Sequence, residues 1–173
     1  RGDPLICGGE MEIFVEPIAL APTLVLVGAG HVGAAVAQQA KLLGFRVVVL
    51  DDRVEFVTPE SFPHADERIA GDVVAKIREM EITPQTYVVL VTRAHTLDAA
   101  LLGAIVEKDA AYIGMLGSKR RVLTVVDMLK QKGVSEAALA RVHAPIGIEI
   151  HAETPQEIAV SIMAEIIKVK RQK

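Results

Sequence analysis

The stretch LVLVGAGHVGAAVAQ, from Leu24 to Gln38, is typical of the first strand, turn and helix of a nucleotide-binding fold. Gly28, Gly30 and Gly33 have the G-x-G-x-x-G spacing, directly after a continuous apolar run. In such a turn the first glycine permits the tight bend, the second lets the backbone approach a pyrophosphate, and the third lets helix and strand pack closely. A purely structural glycine turn is the alternative interpretation. The predicted phosphate-binding residues are Gly28, Ala29, Gly30, His31, Val32 and Gly33.

The rest of the chain continues this alternation of apolar strands and helices. The runs RVVVL, TYVVLVT and AYIGMLG are each followed by turn residues, and the last two lead directly into helical patterns. A capping box, TPQE from Thr154 to Glu157, starts the final helix. The pattern predicts a three-layer αβα, Rossmann-like fold with a doubly wound, mostly parallel sheet whose ligands lie at the carboxyl ends of the strands. Shorter predicted elements are a strand at Arg68–Ala70 and helices at Val73–Glu79 and Ser135–Arg141.

The composition limits the kinds of partner and the cellular compartment that are expected for this chain. Of 173 residues, 51% are hydrophobic but only 3% aromatic, so the core must consist of aliphatic side chains, as in buried parallel strands. The net charge is −3 and no basic stripe is present, which argues against nucleic acid as a partner. Cys7 is the one cysteine, so the cytoplasm is expected. The glycine turn interrupts the apolar run of residues 18–37, so no membrane-spanning helix is expected.

Charged residues follow the second strand and leave two interpretations open. An acid at this position, Asp51 or Asp52, binds the ribose hydroxyls in NAD-dependent proteins. Arg53 beside them favours a 2′-phosphate or another anion instead. His31 in the glycine turn is either a solvated loop residue or a donor to a phosphate.

The next two strong strands also end in polar residues. After TYVVLVT, Arg93 is predicted to bind an anion, and His95 to donate a hydrogen bond or exchange a proton. Asp98 nearby either contributes to the site or favours the first turn of the next helix. After AYIGMLG, a cation at a helix start, Lys119, opposes the helix dipole unless an anion lies there. The predicted binding residues at these two strand ends are Thr92, Arg93, His95, Gly117, Ser118 and Lys119.

Few residues suggest catalysis. Cys7 and His95 are the two candidates, although a lone cysteine is more often a small buried apolar group. The histidines are scattered, no Cys/His set has metal-ligand spacing, and no metal site is predicted. One alternative is an NAD(P)-dependent oxidoreductase, for which His95 with Asp98 is the candidate acid–base pair. Another is a nucleotide-sensing Rossmann domain, suggested by GAGHVG, VLDD and AGD.

Several segments together resemble the XdhC/CoxI family, the xanthine dehydrogenase accessory factors. They follow the order found in the family and span nearly the whole chain. The last two are more specific than the glycine turn. The segments are CGGEMEIFVEPI, LVGAGHVG, VVVLDDR, VTRAHTLD, YIGMLGSKRR and APIGIEIHAETPQEIAVSIMAEII.

The resemblance implies a maturation role without turnover chemistry. Such proteins bind molybdenum cofactor (molybdopterin), protect it, and deliver it in sulfurated form to apo molybdenum hydroxylases of the xanthine or aldehyde dehydrogenase type, working with a cysteine desulfurase. NAD(P) remains the alternative ligand. Residues 1–18 would be the tail of an N-terminal domain present in longer relatives, and residues 19–173 the Rossmann-like domain. Cys7 would contact the dithiolene or relay sulfur. The segment MEIFVEPI, Met11 to Ile18, is predicted to form a strand, and such an exposed apolar strand favours a homodimer.

Overall fold

In the part of the chain that the structure describes, six parallel strands form one sheet with the spatial order β3-β2-β1-β4-β5-β6. The computed structural model describes residues 12–14 and 21–172. The strands are β1 Thr23–Val27, β2 Arg46–Asp51, β3 Glu67–Ala70, β4 Thr86–Leu90, β5 Tyr112–Met115 and β6 Val142–His143. The helices are α1 His31–Leu42, α2 Val73–Glu79, α3 His95–Ile105, α4 Lys119–Gln131, α5 Glu136–Leu139 and α6 Pro155–Arg171. This is the predicted Rossmann-like α/β class, with a sheet that is parallel throughout.

The centre of the sheet is buried on both faces, which explains its uninterrupted aliphatic strands. Leu24 and Leu26 pack into one core cluster, which α1 and α6 cover. Val25 and Val27 point the other way, into a second cluster formed with residues of α2, α3 and α4. All four side chains are 0–1% exposed. Side chains that alternate between two covered faces must all be apolar, so the strand sequence shows no alternation of apolar and polar residues.

The strand order reverses between β1 and β4, which are direct neighbours in register from Thr23↔Thr86 to Val27↔Leu90. The chain builds outward from β1 through β2 to β3, then crosses to β4 and builds the other half. In open parallel sheets, ligands bind beside such a reversal, outside the carboxyl ends of the strands. The fold therefore places the ends of β1, β2 and β4 around one candidate cleft.

The structure also tests the shorter predicted elements. The helix Val73–Glu79 and the capping box at Thr154 and Glu157 are confirmed, and the strand near Arg68 extends over Glu67–Ala70. The two-residue strand β6 was missed. Of the predicted strand from Met11 to Ile18, residues 12–14 lie in no helix or strand, and the remainder is outside the described residues.

Two glycines of the turn are fixed by packing. A Cβ on Gly33 would lie 2.1 Å from the carbonyl oxygen of Gly28, and a Cβ on Gly28 would lie 2.5 Å from that of Val91. Gly28 also has a φ of 119°, which side chains rarely tolerate. By contrast, a Cβ on Gly30 would meet no atom within 4 Å. The spacing of the motif thus serves strand–helix packing at two positions and leaves the middle one open.

We expect Gly33→Ala to lower the free energy of unfolding by about 3 kcal/mol, because neither backbone segment can move away without disrupting the sheet. Gly30→Ala is the matched control, and its cost should stay below about 1 kcal/mol, the range for a changed N-cap residue. Urea unfolding followed by circular dichroism measures both. Equal stability of the two variants would contradict the packing role of Gly33.

A candidate ligand cleft at the carboxyl ends of the strands

A cleft of about 210 Å³ opens at the carboxyl ends of β1, β2 and β4. Its walls come from the glycine turn, the residues after β2, the start of α2, and the loop between β4 and α3. The lining residues are Val27, Gly28, Gly30, Asp51, Asp52, Arg53, Val73, Val91, Thr92, Arg93 and Leu97. All five of the polar ones are residues that the sequence predicted for ligand binding.

The start of α1 forms one end of this cleft. Gly30 is the N-cap residue of α1, no side chain caps the helix, and its first turn holds no acidic residue. The first N–H groups of a helix lack intrahelical partners, and the dipole adds positive potential there. Because Gly30 lines the cleft and has open space where a Cβ would be, an anion can approach this end closely. His31, the first residue of the helix, is exposed and does not line the cleft.

Asp51, at the end of β2, ties the glycine turn to the second strand. Its Oδ2 accepts a hydrogen bond from the backbone N–H of Ala29 at 2.6 Å. Its two oxygens also accept from Arg53, at 2.8 Å from Nε and 2.9 Å from Nη2, and the Arg53 backbone N–H donates at 3.0 Å. Burial alone would raise the pKa of Asp51, but these hydrogen bonds outweigh it and hold the pKa well below its usual value. The carboxylate therefore stays ionised far into the acid range.

Two arginines lie at the rim of the cleft, and they differ in how firmly their guanidinium groups are held. The Arg53 guanidinium carbon lies 3.8 Å from the centroid of the Phe56 ring, so stacking adds to its bonds with Asp51. The Arg93 Nη2 lies 3.2 Å from an oxygen of Asp52, and these two side chains are 60% and 49% exposed. Such an exposed pair contributes little free energy. Arg93 is therefore the cation at the rim that an incoming anion can recruit.

The remaining wall of the cleft is apolar. Val27 and Val91 lie at the ends of β1 and β4, while Val73 and Leu97 come from α2 and α3. Such an apolar wall can pack against the apolar part of a ligand.

A buried ion pair beside the cleft was not predicted from the sequence. Asp98 has 0% exposure and accepts hydrogen bonds from the Thr92 hydroxyl at 2.5 Å and from Arg121 Nε at 2.8 Å. Arg121 also donates to the Thr92 carbonyl oxygen at 3.0 Å. The pair joins the end of β4 to the first turns of α3 and α4. The signal for it was an acid early in α3 and a third basic residue, Arg121, early in α4.

The remaining sequence-predicted residues lie outside the cleft. His95 and Ser118 line a neighbouring depression of about 320 Å³ together with Arg120, Arg121 and Thr124. Lys119 is exposed and lines neither cavity, and Gly117 lies against the Arg121 side chain. The structure does not pair His95 with Asp98, because Asp98 is bonded to Thr92 and Arg121. Cys7 lies outside the described residues.

The described residues hold neither a metal-binding cluster nor a membrane-spanning helix. Between residues 21 and 172 and in the segment 12–14, no group of three or more His, Cys, Asp or Glu side chains is arranged to hold a metal ion. In the same part of the chain, no helix has the length and apolar character needed to span a membrane.

The sequence profile of the XdhC Rossmann domain matches residues 24–166, which include nearly all of the six strands and five of the helices completely. The chain belongs to the XdhC Rossmann domain family. The match covers every residue that lines the cleft.

Relatives of this XdhC domain are longer proteins. An uncharacterized protein of Escherichia coli K12, YqeB, is 42% identical over 165 residues, 95% of this chain and 30% of that protein. A probable xanthine dehydrogenase subunit of Bacillus subtilis 168 is 31% identical over 161 residues, 93% of this chain and 47% of that protein. The crystal structure of a xanthine dehydrogenase from Bacillus halodurans matches with a TM-score of 0.76 and 32% identity, covering 88% of this chain and 44% of that chain. The chain spans less than half the length of each.

The ion pair beside the cleft generates a stability prediction. Asp98→Ala leaves Arg121 without its carboxylate, and loss of one partner of a buried pair costs about 3 kcal/mol. Asp127→Ala, an exposed acid on α4, should change stability by less than about 0.5 kcal/mol. Thermal and urea unfolding compare the two. A loss in Asp98→Ala no larger than in the control would show that the pair is not structural.

Asp51 generates a prediction about pH. A carboxylate with a lowered folded-state pKa stabilises the fold above the pKa of an unfolded aspartate, about 4, and this stabilisation is lost as the pH falls below that value. Asp51→Asn should therefore be less stable than the unmodified chain at pH 7, by about 2 kcal/mol, and the difference should shrink below pH 4. Asp52→Asn, half exposed, is the control, with little difference at either pH. A difference for Asp51→Asn that does not depend on pH would refute the assignment.

Proposed function

We propose that this XdhC domain is the cofactor-holding part of an accessory protein for a xanthine dehydrogenase, and that its cleft binds molybdenum cofactor (molybdopterin). One observation supports this most directly. The uncapped start of α1 and an apolar wall face the same cleft, so a terminal phosphate and a flat ring can bind together. The name of the Bacillus subtilis relative, which describes part of a probable xanthine dehydrogenase, supports the link to that enzyme.

The chemistry of the cofactor fits the residues present. Its phosphate would lie at the N–H groups of α1, where a Cβ at Gly30 would take up the space it needs. Its pterin would lie along Val27, Val73 and Leu97, with Arg93 at the rim donating to an anionic oxygen. The cleft volume of about 210 Å³ is below that of pockets that enclose a whole drug-sized ligand, roughly 300 to 1,000 Å³. One ring system and a phosphate suit it better than both halves of a dinucleotide.

In the proposed role the domain binds, protects and transfers the cofactor. The pairing of the carboxylates supports a role without turnover chemistry: Asp51 and Asp98 are each bonded to an arginine, and Asp52 is paired with Arg93 at the rim. The recipient would be an apo molybdenum hydroxylase of the xanthine or aldehyde dehydrogenase type, in the cytoplasm. A cysteine desulfurase would supply the sulfur, with Cys7 as the candidate relay. A homodimer is part of the same proposal.

A comparison of two cations tests where the anion binds. Arg93→Ala should weaken binding of released molybdenum cofactor by about 1.5 to 3 kcal/mol, the value of a charge-assisted hydrogen bond. Lys119→Ala removes the same charge from the start of α4, outside the cleft, and should leave the affinity unchanged. Isothermal titration measures both. If Lys119→Ala weakens binding and Arg93→Ala does not, the phosphate lies at α4 instead.

The proposed role is tested by comparing the affinities of the chain for molybdenum cofactor, NAD and NADP. The unmodified chain should bind molybdenum cofactor more tightly than NAD or NADP, and Gly30→Ala should lose that binding while remaining folded. Tight NAD(P) binding accompanied by a substrate-dependent change in absorbance would replace the proposal with the oxidoreductase alternative.

A further inference from the structure

We infer that Arg53 determines the ligand specificity of the cleft, because it occupies the carboxylate of Asp51 and so prevents this acid from recognising a ribose diol. The cleft would then favour phosphate-bearing heterocycles that need no ribose contact. This inference rests on the proposed function only in placing a phosphate-bearing ligand in the cleft.

The acceptor positions of Asp51 are all occupied within the protein. An ionised carboxylate offers about four hydrogen-bonding directions on its two oxygens. Oδ1 accepts from the backbone N–H and the Nε of Arg53 at 3.0 and 2.8 Å, and Oδ2 accepts from the Ala29 N–H and Arg53 Nη2 at 2.6 and 2.9 Å. All four directions are used, and Asp51 is only 4% exposed. The acid that reads the 2′-hydroxyl in dinucleotide-binding folds stands at this position, but here it has no free acceptor.

Arg53 is held firmly in place. Its two bonds to Asp51 have the forked geometry that guanidinium and carboxylate groups form well. One face of the guanidinium lies over the Phe56 ring, and Asp52 Oδ1 is 3.8 Å from Nε. The side chain is 24% exposed, so most of it is enclosed by protein. A ribose hydroxyl would have to displace a charged, stacked donor to reach the carboxylate.

The occupied carboxylate affects ligands with a ribose and ligands without one differently. A pterin that ends in a phosphate has no ribose, so it loses nothing when Asp51 is occupied. NAD, ADP and a nucleotide-extended pterin all carry a diol, to which Asp51 offers no free acceptor. The neighbouring Asp52 is exposed but is shared with Arg93. Arg53 Nη1 forms no hydrogen bond within residues 21–172, so it is a donor that remains for an anionic oxygen. This arrangement therefore favours ligands without a free ribose diol, which include the cofactor form without a nucleotide and also a dinucleotide with a 2′-phosphate.

The experiment measures recognition of the 2′-hydroxyl directly. ADP and 2′-deoxy-ADP are titrated calorimetrically into the unmodified 173-residue chain and into Arg53→Ala. The unmodified chain should bind both ligands with the same affinity to within about twofold. Arg53→Ala frees two acceptor positions and should prefer ADP by about tenfold, the value of one hydrogen bond to a charged group. Adding Asp51→Asn to Arg53→Ala should reduce that preference to about threefold or less, because the amide oxygen accepts only a neutral hydrogen bond.

Arg53→Lys covers the case in which the alanine variant does not fold. A single ammonium group cannot reproduce the fork, so this variant should also prefer ADP over 2′-deoxy-ADP, though less than the alanine variant. A tenfold preference already present in the unmodified chain would overturn the inference. So would folded Arg53 variants that do not gain a preference. A different measurement shows whether the proposed function fails: in that case the unmodified chain does not bind molybdenum cofactor.

Discussion

The carboxylate of Asp51 is the contact on which the cleft depends. It joins the end of β2 to the backbone of the glycine turn through the Ala29 N–H, and it fixes Arg53 at the rim. Because the partners are a charged guanidinium and two backbone amides, the interaction is strong and its geometry is narrow. The position of α1 relative to the second strand, and with it the place where a phosphate can bind, follows from this one side chain.

A second buried carboxylate, Asp98, has a parallel role on the other side of the cleft. It accepts a hydrogen bond from the Thr92 hydroxyl and pairs with Arg121 from α4, so an ion pair helps to hold the loop after β4. Two of the four arginines near the strand ends, Arg53 and Arg121, therefore stabilise the scaffold. Arg93 differs from these two arginines. It is exposed and weakly paired, whereas loss of Arg53 or Arg121 would damage the fold.

The fold was readable from the sequence because its signals are local. Continuous aliphatic strands, the glycine spacing and the capping box at Thr154 each specify a short segment, and all of them agree. The cleft was only partly predictable, since strand order brings Asp52 and Arg93 together although they are 41 positions apart. Pairing between charges was the part that the sequence could not show. Nothing local distinguishes Arg121, which is bonded to Asp98, from Lys119, two positions earlier and exposed.

The pair formed by Arg93 and Asp52 has a consequence for the lifetime of a bound ligand. An anion that reaches Arg93 exchanges places with Asp52, so one ion pair is formed as another is broken. The pair that is broken is exposed and contributes little free energy, but the freed aspartate stays close enough to compete for the arginine. Under the proposed function, such an internal competitor would speed the release of the bound cofactor, which transfer to another protein requires.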